Sequence, residues 1–197
     1  MEAKRDEELL GEHLRGTRGA FDALVTRYSG ELYGFLARFV GNSAAADDLV
    51  QEAFLQVYAA AGSFDVQRSF KPWLYTIAAN KARDYMRSRG RRTERTLDGP
   101  AGSDGPSFSD TLEHDAPETA DTLDEQERAA LVRKLLNTMP EHLRLILTLG
   151  YYQQLPYADI ADILGIPVGT VKSRLHAAVQ HFGRLWRQTQ ASAGASD

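Results

Sequence analysis

The sequence predicts an all-α protein: two small helical domains joined by a flexible acidic linker. Three observations carry that prediction. Apolar residues recur at spacings of three and four in both halves of the chain, with no strand-like alternation. Between the halves, Gly99-Pro-Ala-Gly-Ser-Asp-Gly-Pro-Ser107 is rich in turn formers and has no periodic apolar face. Near the C-terminus, Leu155 to His176 reads as two short helices broken at Gly165. The boundaries that follow are a first domain over 1–94, a linker over 95–123, a second domain over 124–190 and a disordered tail over 191–197.

In the first half, Phe21, Leu24, Val25, Tyr28, Leu32, Phe35, Leu36 and Phe39 define a long amphipathic helix. Asn42-Ser43 caps the next helix, with Asp47 and Asp48 near its positive end. That helix turns Leu49, Val50, Ala53, Phe54, Val57 and Tyr58 inward, and Asp48, Gln51 and Glu52 largely outward. Pro72 suits the first turn of a third helix, in which Trp73, Ile77 and Tyr85 pack.

Beyond the linker, Glu125 to Asn137 forms one helix. Thr138-Met-Pro-Glu141 reads as a capping box for the next, with Thr138 as N-cap and Glu141 reaching back. Leu143, Ile146, Leu147 and Gly150 supply the buried face of that second helix. Tyr157, Ile160, Ile163 and Leu164 give a third helix an apolar side. Gly165 accepts the left-handed conformation that ends it, and Pro167 admits a fourth. There Val171, Leu175 and Val179 point inward, while Thr170, Lys172, Ser173, Arg174 and His176 occupy the flanks and outer face. This is the layout of a helix-turn-helix, whose second helix lies in the DNA major groove. An ordinary helical hairpin with a solvated basic face shares the pattern, so the motif alone is weak evidence.

Charge distribution strengthens it. The 197 residues carry a net charge of −4, which argues against a nucleic-acid binder until the charge is located. Lys81, Arg83, Arg87, Arg89, Arg91, Arg92 and Arg95 crowd one segment against Asp84 and Glu94. Lys172, Arg174, Arg184 and Arg187 meet no acid from Val168 to Arg187. Thr96 to Glu127 holds ten carboxylates and no Lys or Arg. Two basic patches thus flank an acidic connector, and local charge is what attracts phosphate.

Other chemistries are poorly served. There is no cysteine, so disulfides, thiolate metal sites and cysteine catalysis are excluded. Five scattered histidines offer no metal spacing, and no Gly-rich phosphate loop occurs. No cofactor and no catalytic residue are expected, and an enzyme is disfavoured. No apolar run approaches the roughly 20 residues that span a bilayer, and the charged N-terminus has no apolar core to make it a secretory signal. A soluble, cytoplasmic protein without membrane insertion is the expectation.

Three segments, in order, resemble the extracytoplasmic-function sigma factors, small two-domain factors of bacterial transcription initiation. Asp47 to Tyr58 resembles the region-two helix that grips RNA polymerase. Phe70 to Arg87 resembles the segment that melts and reads the −10 element, and Val168 to His176 resembles the reader of the −35 element. The resemblance implies core RNA polymerase and promoter DNA as partners, and an anti-sigma protein as the usual third. It implies that Asp47, Asp48, Gln51 and Glu52 meet the clamp helices of the largest polymerase subunit. It assigns the −10 element to Asn80, Arg83, Asp84, Arg87 and Arg91, together with Ser63, Phe64, Arg68 and Ser69 of the loop before that helix. Asn and Arg suit base edges, while Arg89, Arg91 and Arg92 suit phosphates. The loop Gly62 to Ser69 would capture a flipped base, at a cost of a few kcal/mol that a polar pocket beside an aromatic ring offsets. Of the aromatic pair Trp73 and Tyr75, at least one belongs to the core, and Trp73 is read as structural.

The −35 element falls to Thr170, Lys172, Ser173, Arg174 and His176. One departure stands out: the family commonly carries arginines after this histidine, whereas Ala177, Ala178 and Val179 follow here. Fewer phosphate contacts predict a weak or altered −35 preference. The resemblance also implies a role for the acidic linker as a nucleic-acid mimic in the polymerase cleft. A helix-turn-helix regulator acting without polymerase is the main alternative, and the Asp47–Tyr58 and Phe70–Arg87 motifs argue against it. A site-specific recombinase would need strands and a catalytic constellation that the first half lacks.

Overall fold

Helix α2, Ala20–Val40, is the spine of the first of two units, and its neighbours are best understood from what it buries. The computed structural model describes residues 4–97 and 123–193, and the chain divides into Met1–Asp110 and Thr111–Asp197. No strand occurs among the described residues. Residues 98–122 of the expected linker, and the side chains of Arg92 and Arg95, lie outside them.

The first unit comprises α1 (Asp6–Leu14), α2, α3 (Ser43–Ala60), a 3-10 turn (Ala61–Ser63) and α4 (Phe70–Leu97). Leu24, Tyr28, Leu32, Phe35, Leu36 and Phe39 of α2 are buried against α3 and α4. Tyr75 of α4 is fully buried, its ring 5.2 Å from that of Phe35. Each such side chain contributes about 1.5–3 kcal/mol of apolar burial. Gly41, at φ 71°, ends α2 in the left-handed conformation. The Asn42 side chain then accepts from the Ala45 N–H at 2.8 Å, so the predicted cap starts α3.

Helix α1 went unread in the sequence because Leu9 and Leu10 are its only buried residues among charges, too few to make a period. It is held by side chains as much as by burial. Asp6 receives hydrogen bonds from Arg27 and from the Tyr28 hydroxyl, both on α2. Tyr58 departs from the sequence reading. It is 58% exposed, because stepping by four residues from Phe54 rotates about 40° past the buried face.

The second unit comprises α5 (Leu123–Thr138), α6 (Glu141–Leu147), a π-helical turn (Thr148–Tyr152), α7 (Tyr157–Leu164) and α8 (Val168–Ala193). Helix α8 therefore continues past residue 190, where the tail was expected. The capping box does not form as expected. Thr138 ends α5, its hydroxyl donating to the Leu135 carbonyl at 2.8 Å, and Pro140 holds the N-cap position of α6 without a side-chain cap. Two side chains on α6 also differ from expectation: Leu145 is buried and Leu143 only half-buried. Arg144 is buried as well, its guanidinium donating to the Asn137 carbonyl and side-chain oxygens at 3.4 and 3.3 Å. It ties α6 to α5. Burial pushes the Arg144 pKa down, with Glu141 opposing the shift.

The π turn brings Gly150 against α8. A Cβ there would lie 3.0 Å from one methyl of Leu175, so a larger residue would require the leucine side chain to shift. Gly165, at φ 63°, ends α7 as predicted. The Pro167 carbonyl accepts from the N–H groups of Thr170 and Val171 at 2.9 and 3.1 Å, opening α8. Ile160 and Ile163 are buried, whereas Tyr157 is exposed. On α8 the buried stripe is Val171 and Ala178 with Leu175 half-buried, and Val179 is 53% exposed. The cause is the same as at Tyr58: two steps of four residues drift about 80° around the helix.

Candidate nucleic-acid and polymerase interface

Three surfaces gather the residues singled out in the sequence. The first lies on α3. Asp47, Asp48, Gln51 and Glu52 are all exposed there, on the side opposite Leu49, Ala53 and Val57. Leu55, 69% exposed, falls in the middle of the same stripe. Sequence reasoning passed over it as one more apolar residue of an apolar helix. Its helical phase, shared with Asp48, Gln51 and Glu52, was the available signal. Glu52 also reaches α4, its carboxylate 3.3 Å from the Lys81 ammonium.

The second surface is a stripe along α4. Asn80, Asp84, Arg87 and Arg91 are exposed and Arg83 is half-exposed, repeating at three and four on one side. Within the stripe Arg83 donates to Asn80 at 3.2 Å and Arg87 pairs with Asp84 at 3.3 Å. The side chains are thus already ordered in pairs on an open face. Such exposed pairs are worth only about 0.2–1 kcal/mol, so a ligand displaces them cheaply.

The loop before α4 has a supported base and an open tip. Phe64 is half-buried, its ring 4.7 Å from Trp73 and 6.2 Å from Phe70. Asp65 closes a turn: its side chain accepts from the Gln67 N–H at 3.0 Å, and its carbonyl accepts from the Arg68 N–H at 2.9 Å. Val66, Gln67, Arg68 and Ser69 are exposed. Ser63 is exposed too, with its hydroxyl donating to the Ala60 carbonyl at 2.8 Å. Trp73 is half-buried beneath Phe64, a structural support, while Tyr75 is the fully buried member of the pair.

The third surface is the outer side of α8. Lys172, Ser173, Arg174 and His176 are exposed, and Thr170 is half-buried. Lys172 and Arg174 stand on opposite flanks, since two residues along a helix turn it about 200°. Between them Ser173 donates to the Thr170 carbonyl at 3.1 Å, and His176 bonds the Gln180 amide at 2.8 Å. Gln180 and Arg184, both exposed, prolong the outer face; Arg184 belongs to the basic patch read from the sequence, but neither is among the residues assigned there to the −35 element. Ala178 is buried, so of the three residues directly after His176 only Ala177 and Val179 are open to solvent.

Comparison with known proteins gives these surfaces a context. Residues 24–92 match the Sigma-70 region 2 family model, and residues 129–182 match the Sigma-70, region 4 model. The chain is 38% identical over 178 residues to the RNA polymerase sigma-H factor of Pseudomonas aeruginosa, covering 89% of this chain and 90% of that protein. It is 34% identical over 183 residues to the ECF RNA polymerase sigma-E factor of Escherichia coli, covering 88% and 90%. Among solved structures, the sigma factor RpoE in complex with the anti-sigma factor NepR from Bartonella quintana matches with a TM-score of 0.68 at 26% identity, over 86% of this chain and 98% of that one. CnrH in complex with the cytosolic domain of CnrY matches with a TM-score of 0.66 at 25% identity, over 93% and 97%. The fold and the two family matches define a bacterial transcription initiation factor. The chain belongs to the extracytoplasmic-function sigma factors, which bind core RNA polymerase and direct promoter-specific initiation.

Proposed function

We propose a division of labour among the three surfaces. The α3 stripe, Asp47, Asp48, Gln51, Glu52 and Leu55, docks on core polymerase. The α4 stripe with the tip of the 62–69 loop reads and holds the opened −10 element. The outer face of α8 reads the −35 element. In this scheme residues 1–94 form the polymerase and −10 domain, 124–190 form the −35 domain, and 95–123 connect them. The observation that carries the reading is the α4 stripe: an amide and three arginines in helical register, solvent-facing, directly after a loop with an open tip. That combination supplies base-edge and phosphate chemistry along one line.

The chain supplies binding and positioning only, and bond formation belongs to the polymerase. It acts in the cytoplasm with that enzyme, and no described helix is long and apolar enough to cross a membrane. By likeness to the two sigma complexes, an anti-sigma protein is the expected regulator. Run-off transcription with core polymerase on a promoter library tests the scheme. Arg87→Ala is expected to lower output about tenfold or more, within the range of one base contact, most strongly on promoters that keep the preferred −10 element and least where the contacted base is altered. Output that is independent of added chain, or DNA binding with no core association, would favour the polymerase-free regulator instead.

A further inference from the structure

The loop between residues 62 and 69 is fixed at its two ends by different parts of the first unit. At its start, Phe64 rests on Trp73. At its end, the backbone N–H of Phe70, the first residue of α4, donates to Glu7 Oε1 at 2.9 Å. Glu7 is 63 residues away in sequence, on α1. Helix starts leave backbone N–H groups unpaired, and a carboxylate there satisfies one and complements the helix dipole. Here that carboxylate comes from another helix, so the point where the loop enters α4 is set by where α1 sits. Helix α1 is itself held by Leu9 and Leu10, both buried, and by Asp6, which binds Arg27 and Tyr28 of α2. The Tyr28 ring then lies 5.6 Å from Phe70. Glu7 and Tyr28 therefore meet Phe70 from two helices, one at its backbone and one at its ring.

We propose that Glu7 is a positioning residue for promoter reading: by capping α4 from α1 it fixes the exit of the 62–69 loop and hence the base selectivity of the loop tip. The inference rests on the reading that this loop captures a base. A base pocket selects by geometry, and a loop with one end released samples more conformations and discriminates less. The acceptor oxygen is what the role requires. Glutamine at this position retains one; alanine does not.

The experiment is run-off transcription by the full chain with core polymerase, on promoters substituted one position at a time through the −10 element. Three variants are compared with the parent: Glu7→Ala, Glu7→Gln and a loop-tip variant, Arg68→Ala/Ser69→Ala. Asn42→Ala, which removes the cap of α3, serves as a control for general destabilisation. Glu7→Ala is expected to flatten the preference at the loop-read position roughly three- to tenfold, the range of one helix cap. Glu7→Gln should retain it within about twofold, and Asn42→Ala should keep the preference despite a comparable fall in Tm. A loop-tip variant that alters the preference while Glu7→Ala leaves it intact overturns this inference alone. An unaltered preference in the loop-tip variant overturns the loop reading and the inference with it. Equal flattening by Glu7→Ala and Asn42→Ala reduces Glu7 to a structural contact and also overturns the inference.

Discussion

At the scale of single residues, the first unit depends on polar groups placed where burial makes their protonation matter. Burial pushes the Tyr28 hydroxyl pKa well above its ordinary 10.0, and its hydrogen bond to Asp6 pushes the same way. Burial does likewise to Tyr75, followed by the nearby charge of Glu31. In both cases the folded state retains a proton that the unfolded chain surrenders as pH rises through 10. Near and above that pH the folded state binds more protons, so this contribution is complete well below pH 10 and stability falls as pH rises through it. The chain has two tryptophans, Trp73 in the first unit and Trp186 in the second. In a Trp186→Phe background, Trp73 fluorescence therefore follows the unfolding of the first unit. Its denaturation midpoint should decline between about pH 9 and 11, and Tyr75→Phe should make that decline shallower. A slope unchanged by the substitution would assign the alkaline loss to other groups.

At the scale of elements, the helices were legible wherever the apolar period was long. Helix α2, the Asn42 cap, the Gly165 stop and the stripe Asn80–Arg83–Asp84–Arg87 all follow from spacing, because one face of each helix meets a core. Helix α1 did not follow, since it buries a single leucine pair and owes its place to Asp6 and Glu7 reaching other helices. The phase errors at Tyr58 and Val179 share a cause: a run of four-residue steps drifts off the seam. The drift bears on promoter reading. Ala178 faces the core and Ala177 faces outward, so the missing arginines of α8 are not equivalent. Ala177→Arg should strengthen binding to a −35 duplex and steepen its salt dependence by about one unit of log–log slope. Ala178→Arg should instead destabilise the second unit by several kcal/mol, because it buries a charge in a packed stripe. Titration of holoenzyme onto −35 DNA at several salt concentrations, beside thermal melts, separates the two. Equal gains from both would contradict the burial of Ala178.

At the scale of the whole molecule, the stripe proposed to dock on polymerase and the surface proposed to read the −10 element share the first unit, while the surface proposed for the −35 element stands in the second. Glu52 makes the sharing physical: it is exposed on the α3 stripe yet paired with Lys81 of α4. The proposed docking stripe places a large exposed aliphatic side chain among polar groups, the pattern of an interface centre with a polar rim. Leu55→Ala should therefore weaken core binding about tenfold or more, as truncation of a central anchor does. Promoter preference should be unmoved, since Leu55 belongs to neither DNA-reading surface. Arg174→Ala should do the reverse, leaving core affinity intact and depressing only promoters that depend on the −35 element. Because the two positions lie in separate units, their effects on output at a −35-dependent promoter should add in free energy. Glu52→Gln should not behave so simply. Losing the bridge frees Lys81 beside the −10 surface, so its effect should combine non-additively with Asn80→Ala. Core affinity by fluorescence anisotropy and output by run-off, measured across these single and double variants, tests the scheme. Additivity of Glu52→Gln with Asn80→Ala would show that the docking and −10 surfaces act independently within the unit they share.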